Sequence, residues 1–91
     1  LKHHQLFSMM ICEIYDLLTL HQPEPLSIEQ IFQQLTPFLK ARIRFVIKNE
    51  PQALILFKNE LDIVSYMANL LANKTFKIHH FGNEYYYLGE S

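Results

Sequence analysis

Four prolines, at positions 23, 25, 37 and 51, do most to limit what this chain can fold into. A proline inside a helix removes a backbone donor and clashes with the turn before it, so helices must stop or start at each one. The first 50 residues are thereby cut into three segments, the longest with room for about six turns. Beyond Pro51 there are no more prolines, and the punctuation passes to Gly82 and Gly89, the only two glycines.

In the first segment Phe7, Met10, Ile11, Ile14, Leu17 and Leu18 keep the three-and-four spacing of an amphipathic helix. Leu6, Met9, Cys12 and Tyr15 carry the apolar surface almost all the way round. Such a helix is central to a fold or shared with a subunit interface. Cys12, set among these residues, reads as a small buried hydrophobe. The apolar run 6–20 includes Glu13 and Asp16. It is too short and too charged to cross a membrane, and it lacks the flanks of a signal peptide. His21-Gln22-Pro23-Glu24-Pro25 ends it.

Ser27 followed by Gln30 is a capping box, predicting a short helix over 28–35 with Ile28, Ile31, Phe32 and Leu35 inward. Thr36-Pro37 restarts the chain with a favoured cap and a favoured first helical residue. A third helix runs from there to about Asn49, with Leu39, Ile43, Val46 and Ile47 as its core stripe. The apolar run 53–57 fits a buried strand or one helical turn, and its bracketing by Pro51 and Lys58-Asn59 favours the strand. Asn59 caps a fourth helix, with Glu60 and Asp62 in its first turn. Gly82-Asn83, between 75–81 and 84–88, marks a two-residue β-hairpin. That loop sets Ile78 against Tyr87, His80 against Tyr85 and Lys77 against Leu88. It puts Phe76, Ile78, His80, Tyr85 and Tyr87 on the inward face. The expected class is α+β, about four helices with a C-terminal β-hairpin.

With 91 residues and 49% apolar content, the chain suits a single domain over 1–91 with a real core. Its opening at Leu1 also fits an excised piece of a longer protein. A lone cysteine points to an intracellular setting, cytoplasm or nucleus.

The short capped second helix (Leu26-Ser27-Ile28-Glu29-Gln30-Ile31-Phe32), the third helix over 39–49 and the hairpin over 75–88 resemble, in layout, the winged-helix (winged helix-turn-helix) superfamily. The resemblance covers most of the chain and names no narrower family. It implies DNA binding through the third helix and the hairpin wing, or protein interaction on the same scaffold. The chain departs from the usual pattern after the third helix: either 53–66 is itself a hairpin turning at Lys58-Asn59, or a fourth helix precedes the wing, and the helical spacing over 61–71 favours the second.

A net charge of −1 excludes nucleic-acid binding by bulk positive charge, so any such role needs a local patch. The sequence contains one. Lys40, Arg42, Arg44 and Lys48 place half of the eight basic residues within nine positions, and no acid occurs between Glu29 and Glu50. Lys40, Arg44 and Lys48 recur every four residues, which predicts a cationic stripe opposite the core stripe. Lys77 and Tyr86 on the hairpin extend this candidate surface. Nucleic acid, DNA ahead of RNA, is the first expected partner, in a regulatory binding role. The alternative is a protein-interaction or dimerisation domain without nucleic-acid binding. It would use Met9 and Tyr15 on the first helix and His79 and Phe81 on the hairpin, with a homodimer among the arrangements.

No enzyme is expected. Ser8, Ser27, Ser65 and Ser91 lack a nucleophile's setting, and the dipole of the fourth helix accounts for Glu60 and Asp62. Neither a metal nor a cofactor is expected. His79 and His80 point to opposite faces of one strand, and His3, His4 and His21 have no partner at ligand spacing.

Overall fold

The computed structural model describes residues 3–50, 52 and 56–89. The first helix, α1 (His4–His21), buries Leu6, Met10, Ile14 and Leu18, one from each successive turn. Phe7, Met9, Ile11, Tyr15 and Leu17 are partly buried around that line. With apolar residues on most of its circumference, α1 packs against α3 (Pro37–Asn49), α4 (Glu60–Lys74) and the last strand, so it is the central element. Burying each of its four innermost side chains is worth about 1.5–3 kcal/mol. Cys12, expected to be buried, is exposed instead. It lies outside the four-residue line that faces the core.

After the proline pair come β1 (Leu26–Ser27) and α2 (Ile28–Gln34). The capping box of α2 is complete: Gln30 N donates to Ser27 Oγ at 3.1 Å, and Ser27 N donates to Gln30 Oε1 at 2.8 Å. Ile28, Ile31, Phe32 and Leu35 are all buried, as their spacing predicts. Thr36 caps α3 through Leu39 N, with Pro37 in the first turn. A contact from α1 joins this corner. The Glu13 carboxylate accepts from Thr36 N at 2.9 Å and from Thr36 Oγ1 at 2.8 Å, tying the α2–α3 turn to the central helix. Leu39, Ile43 and Val46 then face the core, with Ile47 at its edge.

Of the run 53–57, residues 53–55 lie outside the described residues. At the other two positions the expected strand is not found: Leu56 is helical and 75% exposed, while buried Phe57 belongs to no strand. Periodicity could not separate a strand from a helical turn over five apolar residues. Asn59 caps α4 by accepting from Asp62 N at 3.1 Å. Ile63, Val64, Met67, Ala68 and Leu71 supply the buried face of that helix.

The hairpin strands β2 (Ile78–Phe81) and β3 (Glu84–Tyr87) pair in the predicted register, Ile78 with Tyr87 and His80 with Tyr85. Gly82 has φ +62° and Asn83 does not have positive φ, the arrangement of a type II′ turn. β1 adds a third antiparallel strand on the other side of β3, giving the order β1-β3-β2. Ile28 N donates to Asn83 O at 3.1 Å, so the hairpin loop is fastened to the start of α2.

Two residues placed inward by strand alternation are in fact exposed. Phe76 is 97% exposed because it precedes β2 and lies in a turn, where alternation does not apply. His80 keeps the inward parity but lies beyond the edge of the core, stacked on the Tyr85 ring at 5.1 Å. Among the described residues no charged side chain is buried, and no helix is long and apolar enough to cross a membrane.

Candidate functional site

The basic cluster lies on α3, and its four members have different surroundings. Lys40 is half-buried, and its ammonium donates to the Gln33 carbonyl near the end of α2 at 3.0 Å. A cation there complements the negative end of that helix. The Arg44 guanidinium lies over the Phe32 ring at 5.3 Å, and its Nε is 3.9 Å from Glu60 Oε1. These two residues therefore turn toward α2 and the start of α4. Arg42 and Lys48 are exposed, and neither has an ion pair among the described residues. Arg42 approaches the exposed ring of Phe38 at 6.0 Å, the outer limit of a cation–π contact.

Helical geometry explains the division. Each four-residue step advances about 40° past a full turn, so Lys40, Arg44 and Lys48 form an oblique row. The row starts at half-buried Lys40 beside Leu39 and is exposed at Arg44 and Lys48. Phe38, Ala41 and Phe45 lie on a second exposed face, beside that row. Phe38 is 59% exposed and Phe45 61%. With Arg42 on one flank and Lys48 on the other, they make an aromatic surface bounded by cations. The two phenylalanines were not among the residues singled out from sequence. Their signal was available, because positions 38 and 45 fall outside the 39, 43, 46 core stripe while sharing a face with each other.

The hairpin residues form a separate surface. α3 packs chiefly on α1 and α4, whereas the hairpin packs through β3 on α1 and through β2 on α4. His79 and half-buried Tyr86 stack across the strands at 5.4 Å, with rings inclined by 23°. Lys77 is exposed just before β2. Phe81 is 86% exposed at the turn. β2 is also an outer strand of the sheet, and among the described residues no strand pairs with its other side.

The α1 residues proposed as a partner surface are largely accounted for by internal packing. Tyr15 meets Tyr87 edge to face at 5.5 Å, and its hydroxyl donates to the Tyr87 hydroxyl at 3.4 Å. That hydrogen bond, followed by desolvation, raises the Tyr15 pKa above the usual tyrosine value. Burial raises Tyr85 in the same direction. Met9 is half-buried against the core and borders a shallow depression with Ser8, Cys12 and Glu13. Among the described residues, no group of three or more His, Cys, Asp or Glu is placed to share a metal ion. The chain matches no family model, no curated protein and no solved structure.

Proposed function

We propose that this chain is a nucleic-acid-binding module of winged-helix layout, acting by binding and contacting its target through the solvent face of α3. The observation that carries the reading is the state of Arg42 and Lys48. Both are exposed, neither has an ion pair among the described residues, and both lie in a stretch without acids. A cation already satisfied within the protein gains little from a phosphate. These two give up only water and counterions. Lys40 is engaged by the Gln33 carbonyl and Arg44, though exposed, by Glu60 at 3.9 Å, and both add general positive potential to the same side.

Two phosphate contacts imply modest affinity with a defined salt response. At about 0.7–0.9 logarithmic units per contact, binding falls roughly tenfold between ~50 and ~200 mM salt. The test is fluorescence anisotropy of labelled nucleic acid against salt. An Arg42→Gln, Lys48→Gln double variant should bind more weakly with a flatter salt slope, whereas Lys40→Gln should keep most of both. Equal loss in both proteins would remove the assignment of contact to Arg42 and Lys48.

A second reading, protein interaction or self-association, draws on the hairpin. An outer strand beside the exposed Phe76 and Phe81 rings is a surface that another chain can extend by strand pairing. Sedimentation velocity of wild type and Phe81→Ser tests it. A concentration-dependent dimer that disappears in the variant supports this reading.

A further inference from the structure

We propose that the α3 face selects single-stranded nucleic acid over duplex, taking unpaired bases against Phe38 and Phe45. This rests on the nucleic-acid reading above and specifies the form of the target. Phe38 and Phe45 are seven residues apart, so they are displaced by only ~20° around the helix and ~10.5 Å along it. Ala41 is exposed between them on the same face. A methyl group there projects less than the ring on either side of it along the helix. Successive stacked bases are about 3.4 Å apart, so the ~10.5 Å rise from Phe38 to Phe45 matches about three stacking intervals along a single strand.

The flanks supply the rest of a single-strand site. Arg42 lies four residues after Phe38 and three before Phe45. Lys48 lies three residues beyond Phe45 on the opposite flank. Cations beside aromatic rings suit a strand whose phosphates follow the charges while its bases lie on the rings. A duplex cannot use this surface in the same way. Its base faces are already stacked on one another, and only edges are offered in the groove. Two exposed phenylalanines facing an undistorted duplex groove meet little beyond thymine methyl groups, and stacking on its bases would first cost the unstacking of a base step. An apolar partner helix is a poorer match, because the Phe38–Ala41–Phe45 stripe is narrow and is bounded by cations on both sides. The absence of acids from 30–49 favours a polyanion.

The experiment measures anisotropy of a short labelled oligothymidylate, an oligouridylate and a mixed-sequence duplex of equal length, at low salt. The proteins are wild type, Phe38→Leu, Phe45→Leu and the Arg42→Gln, Lys48→Gln double variant. Leucine keeps an apolar side chain and a strong helix former but removes the ring, and circular dichroism confirms that each variant folds. The expected result is tighter binding of both single strands than of duplex. Each Phe→Leu change should weaken single-strand binding at least about fivefold and leave duplex binding unchanged. The charge variant should weaken binding of all three probes. If duplex binds as well as single strand and neither Phe→Leu change matters, the single-strand inference is overturned while the phosphate contacts stand. If no probe binds at low salt, the nucleic-acid reading itself fails. If instead sedimentation shows a dimer that Phe38→Leu and Phe45→Leu abolish, the face is an interface between copies and the inference is wrong.

Discussion

Replacing Glu13 by alanine should loosen the corner that orients α3. The carboxylate makes two hydrogen bonds to one residue, at 2.9 Å to Thr36 N and 2.8 Å to Thr36 Oγ1. A hydrogen bond to a charged group contributes about 1.5–3 kcal/mol when water is kept out. These two are at the surface, where water competes, so the pair together should contribute about 1–2 kcal/mol. For a domain of this size each kcal/mol corresponds to about 4–8 °C in Tm. Thr36 also caps α3, so Thr36→Ala should lose about 1 kcal/mol of capping in addition to its share of the clamp. Urea unfolding followed by circular dichroism, on both single variants and the double, separates the terms. The cycle should return a coupling of about 0.5–1 kcal/mol for the hydroxyl–carboxylate bond. A Glu13→Ala protein within about 0.3 kcal/mol of wild type, or a strictly additive cycle, would show that the clamp does not hold the corner.

Three further outcomes follow from the same structure. Phe32→Ala should cost about 3–5 kcal/mol because its ring is buried, whereas Phe45→Ala should stay within about 0.5 kcal/mol, and urea midpoints compare them directly. The raised pKa values of Tyr15 and Tyr85 mean that the folded state favours the protonated phenols; their stabilising contribution is complete below the ordinary tyrosine value near 10 and is lost as pH rises through the folded values. Urea unfolding at stepped alkaline pH should show that decline, smaller in Tyr15→Phe. Gly82→Ala should destabilise the hairpin by about 1 kcal/mol, since Gly82 holds φ +62°, and hydrogen exchange of the β2 and β3 amides should report it.

Local chemistry was the most legible part of the sequence. Ser27 with Gln30, Thr36 with Pro37, Asn59, and Gly82-Asn83 each have a short-range physical cause for the cap or turn they form, and each forms it. Contacts between distant segments were harder to foresee. β1 is two residues long and exists because Leu26 and Ser27 meet Tyr85 and Glu84, which no window around Leu26 contains. The Glu13–Thr36 clamp is likewise invisible to periodicity. The basic cluster could be counted but not divided: only the packing of α2 and α4 assigns Lys40 to Gln33 and Arg44 to Phe32 and Glu60. The exposed phenylalanines were missed for a different reason. An apolar residue off the core stripe attracts little notice in a sequence reading, yet on α3 two such residues are exposed side by side with the cations.

Amide chemical-shift mapping during titration with a short single-stranded oligonucleotide tests the central claim most directly. The account predicts shifts gathered on α3, at Phe38, Ala41, Arg42, Phe45 and Lys48, that shrink as salt is raised. An undisturbed α3 at saturating oligonucleotide, or shifts confined to α1 and the hairpin, would contradict it.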